Sequence, residues 1–454
     1  MISGKMTKIE SRGKNDDARI TKDEGRPNEQ TTKRRSETSR HSGFVIPSSS
    51  GIRHSSLPRD LIASATQLAE LLPQIESVDR VAIDTEADSL HCYREKLCLV
   101  QISLPVPDVV VPRLRDDAGQ KRRVVAGIGD AGWEPRDPKA GRDHRSRLQW
   151  DYIVDPLAAV DLSPLCAVLE RKEIVLHGAD FDLRLLRRGL NLVAHRIFDT
   201  VIAARLLGIR EFSLAALVKR HFGVELGKGS QKANWAQRPL SARMIEYAIN
   251  DTHYLLPLAE RLGSQLRECD RLDWLRQSCQ RAIEQAALER VRNEDELWRI
   301  PGSASLRGRE AAVLRALWQW REKEAETADR PPFHILQNHE LLGAALNFAS
   351  GKLPDYRHFS SRRRQAFRMA AQNAMQLPES EWPVSQRRFG TRPSPEAIRR
   401  AEELRRRRDR AARELDLEQS FIAPRSTIEA IAAKETRAAS LLVPWQRELL
   451  GIKA

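Results

Sequence analysis

The sequence predicts an α/β domain with a mostly parallel or mixed sheet, followed by all-helical regions and preceded by a tail without a core. Short apolar runs that end in polar residues alternate with helical patterns between about residues 58 and 266. From about residue 267 onward, apolar residues recur at helical spacing. Residues 1–57 almost lack aromatic and branched apolar side chains. We expect this tail to be disordered, because it cannot bury enough surface to offset its ordering entropy.

The composition narrows the class of protein. A chain of 454 residues is long enough for two or three domains, and its formal net charge of +14 favours a polyanionic partner. Nucleic acid is the usual one, although anionic membranes or simple solubility fit the same charge. The five cysteines form no Cys-x-x-Cys pair and are interpreted as free thiols in a reducing compartment. Without a long apolar run or a signal-peptide core, we expect a cytoplasmic protein with no membrane partner.

Each element of the α/β domain has its own sequence signal. A helical pattern from about Ser56, which includes Leu61 and Ile62, leads into a strand. The predicted strands cover residues 80–86, 98–103, 152–156 and 173–177, and helices are predicted over residues 162–169 and from Asp182 onward. The charged stretch from about 105 to 149 is interpreted as a surface insertion, since a structureless loop of that length does not belong inside a compact core.

The first candidate site lies where the strand at residues 80–86 ends. The apolar run Val81–Ile83 is followed by Asp84 and Glu86, and alternation along a strand puts both carboxylates on one face. Two anions that close repel each other, so we expect a cation between them, and oxygen ligands favour Mg²⁺ or Mn²⁺ over zinc. Carboxylates at strand ends are common and usually solvated, so this motif depends on partners later in the chain.

Two later motifs supply candidate partners. Asp182 begins a helix, where a carboxylate also complements the helix dipole, a role that Asp180 could fill equally well. Tyr247 and Asp251 are four residues apart in a helical run and therefore share one helix face.

In this order and spacing, the three motifs resemble those of the DEDD exonuclease superfamily, and most of all the ribonuclease D family. Supporting stretches are Ile197–Thr200, the run Lys228–Leu240 with Trp235 and Arg238, and Tyr254–Pro257. Tyr247, four residues before Asp251, indicates the tyrosine branch of the superfamily. The resemblance implies a ribonuclease H-like exonuclease domain over residues 58–266, with the charged insertion inside it.

The resemblance also implies a chemistry. Two divalent ions, Mg²⁺ or Mn²⁺, about 4 Å apart would orient the scissile phosphate and stabilise the leaving oxygen. Asp84 would bridge both ions, Glu86 and Asp251 would complete one site, Asp182 would act on the second, and Tyr247 would orient the attacking water. The implied activity is 3′ to 5′ hydrolysis of RNA to 5′-monophosphates, with trimming of tRNA 3′ ends or other structured RNA. A DNA 3′ exonuclease and a catalytically silent RNA-binding scaffold are the alternatives, although the complete carboxylate set argues against the scaffold.

The remaining chain is predicted to be helical. After a connector over residues 267–300, the pattern over residues 301–378 resembles an HRDC domain, the helical module that follows the nuclease in ribonuclease D. Residues 393–454 are either a second, shortened copy or a helical hairpin packed on its neighbour. A phosphate-binding face and a merely solvated face explain the basic residues of the first module equally well, namely Lys352, Arg357, Arg362, Arg363, Arg364 and Arg368. The glycine-rich stretch 223–230 lacks the phosphate-loop spacing, so no nucleotide cofactor is expected.

Overall fold

The computed structural model describes residues 61–105, 149–227, 229–288, 296–384 and 393–453. The predicted disordered tail and nearly all of the predicted insertion lie outside these residues. Within the described part of the chain, six strands form one mixed sheet in the order β1-β4-β3-β2-β5-β6. The strands are β1 (Leu61–Ile62), β2 (Arg80–Ala87), β3 (Leu97–Pro105), β4 (Gln149–Val154), β5 (Glu173–Leu176) and β6 (Arg196–Asp199).

The pairing directions divide this sheet. Strands β2, β3 and β4 form an antiparallel meander, whereas β1 pairs with β4, β2 with β5, and β5 with β6 in parallel. The helices that accompany the sheet are α1 (Ala65–Glu76), α2 (Ser163–Leu169), α3 (Asp180–Leu190), α4 (Thr200–Leu206), α5 (Leu214–Phe222), α6 (Ala242–His253), α7 (Leu255–Glu268) and α8 (Leu272–Ala287). Because β2 lies between β3 and β5, its carboxyl end is in the middle of the sheet.

One prediction at the start of the domain is wrong. Leu61 and Ile62 do not belong to the first helix but form strand β1, in register with Ile153 and Val154. The helix begins only at Ala65, because the extended Ser64 caps it by accepting a hydrogen bond from the backbone N–H of Gln67. An apolar pair directly before a cap fits a short buried edge strand as well as a helix.

The two faces of the sheet carry different helices. Helix α6 covers β2, β3 and β4, and its Met244 and Ala248 share a buried cluster with Leu99 and Ile153. The larger core on the other side includes residues of α1, α2, α7 and α8. Helix α6 therefore covers the end of β2 that carries Asp84.

Two helical regions follow the sheet domain. The first contains α9 (Gly308–Thr327), α10 (Pro332–Ile335), α11 (Asn338–Ala349) and α12 (Ser361–Met375), and the second contains α13 (Pro395–Leu415), α14 (Gln419–Ile422), α15 (Arg425–Ala433), α16 (Ala438–Leu441) and α17 (Pro444–Leu449). Among the described residues, no helix is both long and apolar enough to cross a membrane.

The two regions bury their apolar residues in different places. Residues of α9, α11 and α12 form a core of their own, in which Trp320 packs edge-on against Phe367 with ring centroids 4.8 Å apart. The second region instead shares the core of the sheet domain. Its Trp445 stacks on Trp274 of α8, and the Trp445 indole N–H donates to the Ser278 hydroxyl at 3.0 Å.

The first region also contacts the loop between β2 and β3. The Arg94 guanidinium pairs with Glu326 at 2.7 Å, and the backbone N–H of Tyr93 donates to Asp329 at 3.2 Å. The Tyr93 side chain packs against the apolar core of this region. The loop that follows Glu86 is thus held on one side by the helical module.

Candidate active site

Three of the predicted site carboxylates come together at the end of β2. Asp84 and Glu86 lie on one face of the strand, and Asp251 reaches them from α6, which begins at Ala242 because Ser241 caps it. One oxygen from each carboxylate can be chosen so that all three lie within 4.8 Å of one another. All three side chains are partly buried. Three acidic oxygens this close have the spacing of a cation site.

Asp182 lies beside this group rather than within it. It sits in the first turn of α3, is buried, and accepts a hydrogen bond from the Thr85 hydroxyl at 2.5 Å. Thr85 stands between Asp84 and Glu86 in the sequence, so it ties the start of α3 to the strand that carries the site. The Asp182 charge nevertheless raises the pKa values of Asp84 and Glu86, which shows that it contributes to the same electrostatic cluster.

The carboxylates disfavour one another's ionisation. Burial, followed by the charges of Asp251 and Asp182, raises the pKa of Glu86 to about 9. Burial also raises the pKa of Asp251 to about 7 and that of Asp182 to about 6, although hydrogen bonds from Tyr247 and Thr85 respectively act in the opposite direction. The pKa of Asp84 is raised well above its ordinary value by burial and by its three acidic neighbours. A cation would relieve this repulsion.

Tyr247 is placed to donate a hydrogen bond in this cluster. The Tyr247 side chain lowers the pKa of Asp251, and the Gln231 side chain lowers the pKa of the Tyr247 phenol. Burial and the nearby charges of Asp251 and Glu86 raise the pKa of the phenol above its ordinary value, so it stays protonated at neutral pH. A protonated phenol can donate a hydrogen bond but cannot act as a base.

The segment before α6 packs against the ring of Tyr247. Trp235 is fully buried, and its ring centroid lies 6.0 Å from that of Tyr247. Arg238 fixes this segment to the sheet, because its guanidinium makes two hydrogen bonds of 2.7 Å to Asp155 and another of 2.7 Å to the carbonyl of Trp235. The sequence analysis named Trp235 and Arg238 among the stretches that support the resemblance, but it did not predict these contacts.

Asp199 positions the helix that carries Asp182. Its buried carboxylate accepts four backbone N–H bonds of 2.8–3.2 Å, from residues 178 and 179 before α3 and from residues 201 and 202 in α4. It thereby serves the amino ends of two helices, where a negative charge also complements the helix dipoles. Sequence reasoning missed this role, and its available signal was an aspartate directly before the helix at Thr200.

The residues present suit a hard divalent cation. The donors are carboxylate oxygens, which Mg²⁺ and Mn²⁺ prefer, and the cysteines that a softer metal would favour are not among them. Among the described residues, the three-membered group of Asp84, Glu86 and Asp251 meets the spacing of a metal site. The fuller set with Asp182, and the number of ions, stay predictions.

Comparison with known proteins bears on this arrangement. Residues 60–116 and 143–267 match a family profile described as 3′-5′ exonuclease, and residues 310–347 match the HRDC domain. The chain is 30% identical over 289 residues to ribonuclease D of Sphingobium indicum, which corresponds to 63% of each protein. It is 31% identical over 199 residues to ribonuclease D of Haemophilus influenzae, or 43% of this chain and 50% of that relative.

The chain is similar to proteins of the ribonuclease D family. The match spans half to under two thirds of the length of these curated relatives. The crystal structure of Escherichia coli RNase D has the same fold, with a TM-score of 0.58 at 21% identity, over 87% of this chain and 97% of that one. The predicted fold class, a ribonuclease H-like exonuclease domain followed by an HRDC helical domain, is confirmed.

The basic residues of the HRDC region are partly engaged within the protein. Arg363 pairs with Glu324 at 3.0 Å, Arg357 pairs with Asp355 at 2.6 Å, and Arg364 donates to backbone carbonyls. Arg362 lines a groove between α9 and α12 together with Lys323. Both alternatives for this region, a phosphate-binding face and a solvated face, stay predictions.

Proposed function

We propose that this protein is a metal-dependent exoribonuclease that hydrolyses RNA from the 3′ end and releases 5′-monophosphates. The observation that carries the proposal is the group of Asp84, Glu86 and Asp251, with oxygens within 4.8 Å of one another at the end of a central strand. Such a group, with raised pKa values and a tyrosine hydroxyl beside it, fits phosphoryl transfer better than a purely structural role.

Each residue has a distinct role in the proposed reaction. Asp84, Glu86 and Asp251 would hold the cations, and Asp182 would support a second ion from α3. Two bound divalent ions would supply positive charge to the scissile phosphate and to the leaving 3′ oxygen. Tyr247 would donate a hydrogen bond that orients the attacking water, because it is protonated and lies next to Asp251. Thr85 and Asp199 would keep α3, and therefore Asp182, in place.

The relatives support RNA as the polymer. Those from Sphingobium indicum and Haemophilus influenzae are named ribonuclease D, and the Escherichia coli protein is described as an exoribonuclease involved in structured RNA processing. By analogy we propose tRNA precursors or other structured RNA 3′ ends as substrates, and the cytoplasm as the place of action. The net charge of +14 suits a polyanionic partner.

The decisive experiment uses RNA and DNA of matched sequence, labelled at the 5′ end and carrying 3′ hydroxyl groups. The purified protein and its Asp84→Ala variant are incubated with each polymer in Mg²⁺, in Mn²⁺ or in EDTA. We expect a ladder that shortens from the 3′ end of RNA, needs a divalent ion and is absent in the variant. Faster shortening of DNA would make the protein a DNA exonuclease, and tight RNA binding without a ladder under any metal would make it a scaffold.

A further inference from the structure

A buried amide next to the candidate metal centre has no partner. Gln101 is fully buried in β3, yet neither its Oε1 nor its Nε2 atom forms a hydrogen bond within the described part of the chain. Buried polar side chains are normally hydrogen-bonded, because leaving one unpaired costs stability. An amide with both ends unpaired therefore requires an explanation.

The register of the sheet places this amide beside Asp84. Gln101 is the direct cross-strand neighbour of Asp84 in the antiparallel pair of β2 and β3. Neighbours in such a pair point to the same face, with Cβ atoms about 4.5–5.5 Å apart. The amide of a glutamine at this distance can reach the carboxylate of its neighbour, or a water between them.

The surroundings offer the amide little else. The buried residues of α6 are the apolar Met244 and Ala248 and the polar Thr252 and His253. The Thr252 hydroxyl already bonds Ser103, and the Nδ1 atom of His253 bonds Asp151. Ser103, two residues along the same face of β3, shows what a structurally satisfied group looks like here. Its hydroxyl bonds both Asp151 at 2.5 Å and Thr252 at 2.8 Å.

We propose that Gln101 is a positioning residue of the candidate metal centre, whose amide hydrogen-bonds the Asp84 carboxylate, or a water beside it, when a divalent cation is bound. This inference rests on the proposed function, since it takes Asp84 as a ligand. The amide would fix the orientation of the carboxylate, as hydrogen-bonding partners behind metal ligands commonly do. This role explains why the Gln101 amide has no hydrogen-bond partner within the described part of the chain.

The test measures cation binding directly and does not depend on activity. Mn²⁺ is titrated into the full chain and free Mn²⁺ is followed by electron paramagnetic resonance, while thermal unfolding is recorded without metal. The variants are Gln101→Met, which keeps the length of the side chain but removes the amide, and Gln101→Asn, which withdraws the amide by one methylene and preserves polarity if the first variant folds poorly. Ser103→Ala is the matched control on the same strand and face.

We expect both Gln101 variants to raise the midpoint of the Mn²⁺ titration by about tenfold. Without metal, Gln101→Met should unfold at the same temperature as the wild type or higher, because an unpaired buried amide has been removed. Ser103→Ala should show the reverse, a lower unfolding temperature and an unchanged Mn²⁺ midpoint.

Two results would overturn the inference, and they are distinguishable. Wild-type Mn²⁺ binding in both Gln101 variants would refute the role of Gln101 and leave the proposed function intact. If the wild-type protein bound no Mn²⁺ at all, the metal centre itself would be refuted, and the role of Gln101 with it.

Discussion

Buried or half-buried carboxylates lie at two strand ends of the same domain, and the groups around them differ. Asp199, at the end of β6, accepts four backbone N–H bonds. Asp84, Glu86 and Asp251, around the end of β2, chiefly face other carboxylates, and their pKa values are raised. The first arrangement stabilises a negative charge, and the second leaves it uncompensated.

The difference separates a structural carboxylate from one retained for binding. A fold that needs only a helix cap gives the carboxylate N–H donors. A fold that needs a cation keeps carboxylates together at the expense of the stability of the metal-free protein. This contrast predicts that substitutions around the end of β2 mainly lower activity, whereas substitution of Asp199 mainly lowers stability.

The largest effect is expected for Asp84→Asn. Hydrolysis of RNA should fall by more than about 10³-fold, beyond what the loss of a single transition-state hydrogen bond causes. The free energy of unfolding of the metal-free protein should stay the same or rise, because one repelling charge is gone. Denaturant unfolding and single-turnover hydrolysis measure the two quantities. A strongly destabilised Asp84→Asn protein would remove the distinction between the carboxylates at the two strand ends.

Asp199→Ala should lower stability strongly and activity only weakly. It leaves the N–H groups at the starts of α3 and α4 without their acceptor, so we expect a loss of about 2–4 kcal/mol in the free energy of unfolding. Activity per folded molecule should decline much less than in Asp84→Asn. The control is Asp161→Ala, since the exposed Asp161 accepts a single backbone bond from Ser163 at 2.9 Å and its loss should destabilise the protein much less. Equal losses in both variants would contradict the structural role of Asp199.

Tyr247→Phe tests whether the hydroxyl beside the carboxylates serves the reaction. The rate of hydrolysis should fall by about 10²-fold, with nearly unchanged RNA affinity, because a donor is lost and the ring still packs near Trp235. Single-turnover rates and equilibrium binding in EDTA separate the two. Tyr152→Phe is the control, since Tyr152 donates to Gln74 in another part of the domain. Wild-type turnover in Tyr247→Phe would count against its role.

The smallest effect is a pH dependence of stability in the absence of metal. Carboxyls with pKa values of about 6, 7 and 9 keep protons in the folded state that the same groups lose near pH 4 in the unfolded chain. The folded state therefore binds more protons between these limits, and its free energy of unfolding falls as pH rises. We expect the free energy of unfolding to decrease steadily from pH 5 to pH 9.

The same titration in Asp84→Asn should give a flatter curve, and saturating Mg²⁺ should flatten the curve of the wild type. Unfolding by urea at a series of pH values measures both. Stability that rose with pH in the metal-free wild type would show that the carboxylates are not mutually destabilised.

The sequence by itself determined the order of the motifs and the class of fold. Apolar runs ending in Asp84 and Glu86, and the four-residue spacing of Tyr247 and Asp251, are local features that periodicity reveals. The same local reasoning misassigned Leu61 and Ile62, because two residues are too few to distinguish a strand from a helix without knowing their partners in β4.

Only the tertiary structure decided which distant residues meet. It paired Asp182 with Thr85 across 97 positions and Gln101 with Asp84 across the sheet. The last helical region packs on the core of the sheet domain, where Trp445 stacks on Trp274, whereas the HRDC region has a core of its own. The physical reason is that burial and hydrogen bonding are satisfied by whichever groups the chain brings together in space, and sequence spacing specifies neighbours only within one helix or one strand.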